Sequence, residues 1–409
     1  MSTQSQVSRQ PKLRFPEFHG DWQAGTISQF LQRVSNPVDV KDDEQYRQIG
    51  VRSHGKGLFH KDPVSGAELG EKRVFWVEPH TLVLNIVFAW EQALAITTKS
   101  EEGFVASHRF PMFSAVEGQA YIPFMLHFFM RKRGKSLLAL ASPGGAGRNK
   151  TLGQSEFTKL DVILPKSDEQ KRVADFLDTI DSKIFALGRK SALLNDYKRG
   201  VIEQIFSRTS RFKKGDGSDF PDWVPSKLGD IATFSKGKGI AKSDIVEGGD
   251  TPCIRYGELY TEYREVIGKI KSRTNEPKAN LILSEPNDVI IPASGEAALD
   301  IACAACVMEG GVALGGDINI LRGKFNGVFL AYYLNNVKRL EIARLAQGNS
   351  VVHLYSSQLK NLSVLLPDEK EQEIIADFLA AIDLKIQFVL NQMDEMTKFK
   401  STLVQQMFA

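Results

Sequence analysis

The sequence predicts a mixed α+β protein: two globular bodies joined by two long antiparallel coiled-coil helices, with a pseudo-two-fold internal repeat. Three observations predict it. A 21-residue segment occurs twice. Each copy runs on into a heptad seam. The stretch ahead of each copy reads as short apolar runs broken by turn residues.

The repeat decides the architecture, because self-similarity at a fixed offset implies two copies of one plan. The segment from Leu164-Pro165 to Ile184 aligns with that from Leu366-Pro367 to Ile386 at an offset of 202, and twelve of its 21 positions are identical. The match continues faintly through Lys198/Lys400, Gln204/Gln406 and Phe206/Phe408. Upstream, Leu160-Asp-Val162 echoes Leu362-Ser-Val364, and Phe18-His-Gly-Asp-Trp22 echoes Phe220-Pro-Asp-Trp223. Between these anchors the halves do not visibly agree. The division expected is a body at 1–166, a helix at 167–209, a second body at 210–366 and a second helix at 367–409.

The helices follow from spacing. Val173, Leu177, Ile180, Ile184, Leu187, Ser191, Leu194, Lys198, Val201 and Ile205 alternate steps of four and three. Ile375, Leu379, Ile382, Ile386, Val389, Met393, Met396, Lys400, Leu403 and Met407 do the same. Pro165 and Pro367 stand just ahead, where proline is tolerated. Acidic Asp168, Glu169, Glu369 and Glu371 suit the positive end of the helix dipole. A second helix that pairs with the first must return along it, so the chain is expected to end near its first body. Lys198 and Lys400 interrupt the seam at equivalent places, and both are expected to snorkel outward along their stems. Phe176, Phe206, Phe378 and Phe408 lie off the seam and are read as exposed rings that bind partner subunits.

The bodies read as strands and short helices. Residues 81–89 and Asp288–Pro292 look like strands, and Gly310-Gly311 and Gly315-Gly316 like turns. Residues 327–344 look helical, with 120–129 as their counterpart in the first half.

Composition bounds the function. With 42% hydrophobic and 25% charged residues the chain is an ordinary globular protein, and its net charge of +3 gives no basis for bulk nucleic-acid attraction. The polar start, the absence of an apolar run of membrane-spanning length, and three cysteines predict a soluble cytoplasmic protein that does not enter a membrane.

Catalytic signatures are missing. Gly144-Gly-Ala-Gly-Arg-Asn-Lys-Thr151 has the wrong spacing for a phosphate-binding loop. Cys303-Ala-Ala-Cys306 lies in an apolar run without a second pair or nearby histidines, which argues for buried small residues rather than zinc. No nucleophile elbow or His-Glu-x-x-His is present. No catalytic residue, metal ligand or bound cofactor is expected.

Local charge is more telling. Residues 118–155 hold no Asp or Glu but carry Arg131, Lys132, Arg133, Lys135, Arg148 and Lys150. Such a window can face phosphates, and Arg and Asn also read base edges. In the first body the candidate DNA contacts are Arg52, Lys56, His108, Arg109, Arg131, Arg148, Asn149 and Lys150. In the second they are Lys236, Lys238, Lys242, Ser243, Arg255, Tyr256, Asn349, Ser350 and His353.

These features together resemble a family. The phrase Phe15-Pro-Glu-Phe18 with Trp22, the duplicated Leu-Pro…Glu-Gln helices, Ile254-Arg-Tyr-Gly-Glu-Leu-Tyr260 and Lys238-Gly-Ile-Ala-Lys242-Ser243 resemble the specificity subunits of type I restriction–modification enzymes. The resemblance covers essentially the whole chain. It implies two target-recognition domains, each reading one half of a bipartite, asymmetric site in double-stranded DNA. It implies that the helices set the spacer and dock two adenine-methylating modification subunits, which use S-adenosylmethionine, and that restriction subunits join to translocate and cleave DNA. The chain itself would be non-catalytic. The competing reading from another class is a coiled-coil scaffold carrying two protein-interaction domains and no DNA role. An autonomous nuclease or methyltransferase would need the motifs that are missing.

Overall fold

In the computed structural model the described residues are 10–144, 150–348 and 350–408. Four helices organise them: α1 (Ile122–Met130), α2 (Ser167–Phe206), α3 (Gly327–Tyr333) and α4 (Glu369–Met407). The chain divides into two compact units. Unit 1 comprises Met1–Leu187 with Gln392–Ala409, and unit 2 is Gly188–Asn391. The division falls inside both long helices, so each unit contains one end of each.

Unit 1 begins with a frame. Strand Gln23–Thr26 pairs antiparallel with Asp161–Leu164, the strand that leads into α2. Between them lie two sheets. One runs Leu31–Val34, Met112–Ala115, Leu82–Leu84, Leu94–Ile96; the other runs Leu58–His60, Gln45–Val51, Phe104–Ser107, Val74–Trp76. The strand expected over 81–89 is confined to Leu82–Leu84. Asn85 ends it, because its side chain accepts from the Val87 amide and turns the chain. Helix α1 supplies Phe124, Met125, Phe128 and Phe129 to the core, beside Val173 and Leu177 of α2 and Leu403 and Met407 of α4.

One carboxylate in unit 1 makes the fold acid-sensitive. Glu101 is buried, which alone would raise its pKa. Hydrogen bonds from the Ser100 hydroxyl, the Thr98 amide and hydroxyl, and the His60 ring outweigh burial and pull it to about 2. A depressed folded-state pKa stabilises the protein above the unfolded carboxylate value and loses that contribution as pH falls from about 4.5 toward 2. Glu101→Gln is therefore expected to flatten the pH dependence of the urea midpoint in that window. An unchanged slope would reject the assignment.

Unit 2 repeats the frame with a different filling. Strand Val224–Lys227 pairs antiparallel with Ser363–Leu366, which leads into α4. Inside lies a five-stranded sheet ordered Ala232–Lys236, Ile318–Gly323, Asp288–Pro292, Ala305–Val307, Val266–Ile267, and a three-stranded sheet of Ser272–Thr274, Thr251–Ile254 and Ala313–Leu314. The helix expected over 327–344 continues past α3 through a wider π-helical stretch at Leu334–Lys338 into Arg339–Leu345. Cys306 is fully buried on its strand and Cys303 half-buried, and burial pushes both thiols up to about 12.

The repeated Glu-Gln is a clamp at the start of each long helix. Arg14 donates from Nε and Nη2 to the two carboxylate oxygens of Glu169 at 2.8 and 2.7 Å, and Trp22 Nε1 adds a third bond at 3.2 Å. In unit 2, Arg211 and Trp223 treat Glu371 the same way. Gln170 accepts from the Tyr121 amide, just ahead of α1, and donates to the carbonyls of Gln119 and Pro165. Gln372 accepts from the Asn326 amide, just ahead of α3, and donates to the Pro367 carbonyl. Each pair thus ties the new helix to the strand before it and to the body above it.

Within each unit the long helices run antiparallel. In unit 1, Asp181 sits beside Lys400, and Leu187 lies with Gln392. Every seam position expected from sequence is buried or half-buried. The two seam lysines depart from expectation: neither is led away to solvent. Lys198 is 12% exposed, bound to Asp383 at 2.8 Å and Glu265 at 3.7 Å, with its ammonium over the Tyr332 ring. Lys400 reaches Asp181 at 2.5 and 2.6 Å. The reason is that the same offset that relates the lysines relates the aspartates, so antiparallel pairing delivers an acid to each lysine.

Candidate nucleic-acid interface

In unit 1 the polar loops collect around residues 85–92. The His54 and Gly55 amides donate to the carbonyls of Glu91 and Gln92, which sets Arg52 and Lys56 beside this segment. Arg52 is exposed, stacked over Phe59 and bonded to the Leu58 carbonyl. Gln92 reaches on to the carbonyls of Phe129 and Arg131 at the end of α1. On the other side the Ile86 amide donates to the Arg109 carbonyl and the Leu152 amide to the Ile86 carbonyl. Lys150 lies over the Trp90 ring at 5.7 Å. Arg52, Lys56, Arg109 and Lys150 thus share one region, to which Trp90 adds an aromatic surface that sequence reading missed. His108 is exposed and hydrogen-bonded through its amide to Arg73. Arg148 and Asn149 lie outside the described residues.

Arg131 has a structural engagement. Its guanidinium is sandwiched between the rings of Phe128 and Phe408, each 4.4 Å away, and Nε donates to the Phe128 carbonyl. Burial lowers its pKa to about 9, with a smaller contribution from the like charge of Arg133. The exposed basic edge of this corner is Lys132, Arg133 and Lys135. Close by, His127 bonds Asp178 at 2.7 Å, and the three groups His127, Asp178 and Asp181 lie within 4.8 Å of one another. Lys400 already supplies the cation for Asp181.

In unit 2, Lys242, Arg255 and Tyr256 line one open pocket of about 420 Å³, together with Ile240, Glu258, Tyr260 and a floor at Gly315–Gly316. Lys238 reaches the same floor through its amide bond to the Leu314 carbonyl. Ser243 is exposed on the short turn beside it, bonded to Asp244. Lys236 ends the strand paired to Asn319. His353 is exposed on a two-residue strand opposite Ser294, with Tyr355 stacked nearby, and Ser350 is exposed just before it. Asn349 lies outside the described residues.

The four off-seam phenylalanines correct the expectation that they stand exposed. Phe408 is buried against Phe124. Phe206 sits in a cluster with Trp223, Phe329 and Tyr333. Phe176 packs edge-on to Phe15 and Phe378 to Phe212. They close the gap between helix and body, a third contact that a two-helix seam does not anticipate. The large apolar side chains that the long helices leave in solvent include Phe185 and Phe399 in unit 1, and Leu384 and Phe388 in unit 2. Among the described residues no helix is long and apolar enough to cross a membrane.

A family model described as the type I restriction modification DNA specificity domain matches residues 85–195 and 221–396, more than half of the chain. The chain belongs to this family. Two curated relatives come from Methanocaldococcus jannaschii. The putative type I restriction enzyme MjaX specificity subunit is 24% identical over 295 residues, covering 69% of this chain and 66% of that protein. The MjaVIII specificity subunit is 23% identical over 269 residues, covering 61% of each. The chain therefore spans just under two thirds of the length of the curated relatives it matches. The solved specificity subunit from M. genitalium shares the fold, with a TM-score of 0.61 at 14% identity over 98% of this chain and 99% of that one. The family match lands on both halves, as a duplicated plan requires.

Proposed function

We propose that this chain is the DNA-recognition subunit of a type I restriction–modification complex and is itself non-catalytic. The observation that carries the reading is the pairing of constant frames with unlike fillings. Both units hold the same strand pair and Arg–Glu–Trp clamp, while the sheets inside them differ. Such a subunit can present two different reading surfaces from equivalent mounts, and so recognise two unlike half-sites of one bipartite DNA sequence. Phosphate contacts from Lys and Arg would position the duplex and base-edge contacts would select it. The exposed Phe185, Phe399, Leu384 and Phe388 on the long helices suit docking of two modification subunits, which would bring S-adenosylmethionine and the methylating chemistry; restriction subunits would complete the assembly. A cytoplasmic setting follows from that role.

The test is adenine methylation across a host genome, read by long-read sequencing after co-expression with the neighbouring modification subunit. A two-part motif with a fixed gap, absent from cells lacking the chain, is expected. Exchanging residues 11–160 for those of another family member is expected to change one half of the motif and leave the other and the gap intact. Co-purification of the subunits without any motif would favour the scaffold reading.

A further inference from the structure

We propose that the pocket at Lys242, Arg255, Tyr256 and Tyr260 in unit 2 seats a backbone phosphate of bound DNA, orienting the duplex without reading its bases. The proposal rests on the DNA-recognition reading above and assigns this site its ligand chemistry.

Base edges are recessed in the grooves of a duplex, whereas phosphates project from it. A protein element that reads bases must protrude, and a concave cationic cup fits the group that projects. This cup is about 420 Å³ and open to solvent, walled by Ile240–Lys242 and the Arg255–Thr261 segment over glycine backbone.

Unit 2 has three half-buried arginines. Arg211 and Arg322 are each gripped by both oxygens of a carboxylate. Arg255, whose side chain is 27% exposed, makes no hydrogen bond from its guanidinium among the described residues; it pairs with Glu258 Oε1 only loosely, at 3.6 Å, and Nε is buried without a partner. Glu258 is meanwhile engaged by the Arg255 amide and the Ser272 hydroxyl. A partly desolvated cation without hydrogen bonds is costly unless a ligand supplies the acceptors. Lys242 has no ion-pair partner among the described residues, and neither tyrosine hydroxyl has a hydrogen bond within them, so each can donate to an anion.

Ile240 holds a φ of 78°, a conformation that β-branched residues rarely adopt. The loop is pinned there from below. A Cβ on Gly237 would lie 2.0 Å from the Gly315 carbonyl oxygen, and the Gly316 amide donates to Gly239. Lys242, two residues beyond Ile240, and Arg255 line the same pocket.

The experiment measures salt-dependent binding of the full-length chain to two duplexes, one carrying the methylated motif and one with it scrambled. Arg255→Gln and Lys242→Gln are each expected to weaken both duplexes by the same factor, about tenfold, and to reduce the slope of log affinity against log salt by about one. The methylation motif should stay unchanged. If either variant relaxes or alters a base of the motif, the pocket reads bases and the phosphate seat is overturned. Unchanged affinity and slope in both variants overturn it as well. Should Arg255→Gln lower the melting temperature markedly, Lys242→Gln, on an exposed side chain, decides alone. If the unaltered chain shows neither a motif nor salt-dependent duplex binding, the recognition reading itself has failed and the seat falls with it.

Discussion

Arg211→Ala is expected to destabilise unit 2 by about 3–5 kcal/mol, measured by urea unfolding. Glu371 is 1% exposed and sits in the first turn of α4. Its carboxylate accepts from Nε and Nη2 of Arg211 and from Trp223 Nε1. The arginine also donates to the Pro221 carbonyl, so it ties the incoming chain to the helix start. Its own pKa is raised, first by the hydrogen bonds to Glu371, so the guanidinium keeps its charge. Deleting the arginine leaves a buried charge with one neutral donor, and that unpaired charge, rather than the lost attraction, sets the size of the effect. The double replacement Arg211→Met with Glu371→Met is expected to recover part of the loss, because two apolar groups need no pairing. A single-variant loss below about 1 kcal/mol, typical of a surface ion pair, would show that water reaches the clamp.

Lys198→Met is expected to cost about 3 kcal/mol and Lys400→Met about 1, although the two lysines are equivalents in the repeat. Lys198 neutralises both Asp383 and Glu265, and the Tyr332 hydroxyl shares Asp383. Burial, together with the charge on Asp383, raises the Tyr332 pKa, so the phenol remains a donor at any working pH. Without the lysine, two carboxylates face each other in a half-buried space. Asp181, the partner of Lys400, is 44% exposed, and solvent screens what remains there. A double-mutant cycle across Lys198 and Asp383 should return a coupling well above the value across Lys400 and Asp181. Equal couplings would mean that burial does not separate the two.

The long helices were legible because their signal is local and periodic: a four-three seam depends only on neighbours along one chain segment. The clamps were not, since Arg14 meets Glu169 and Arg211 meets Glu371 across the whole intervening body. The Glu-Gln pairs could be seen to repeat, but their task was not visible. The direction of the seam lysines was recoverable. Asp181 and Asp383 repeat at the same offset, and pairing the helices antiparallel sets each opposite the other copy's lysine. The phenylalanines were misread because a two-helix seam leaves Phe206 and Phe408 outside, and only α3 and α1 show what covers them. The pocket in unit 2 drew Lys242 and the Arg255-Tyr256 pair from two separate and unlike segments of the sequence. What gathered them was the packing of two glycine turns, which carries no periodic mark.

Unit 1 is assembled from both sides of unit 2 in the sequence, and this has a consequence for the order of folding. A ribosome releases residues in sequence, so every residue of unit 2 has been made before Gln392–Phe408 emerge. Until then the core of unit 1 lacks Leu403, Met407 and Phe408, and Phe124 and Arg131 lack their aromatic neighbour. The usual order, in which the first-made domain settles first, is inverted here. The half that is begun first is finished last, and released chains truncated before residue 392 should present a completed second half and an unfinished first one.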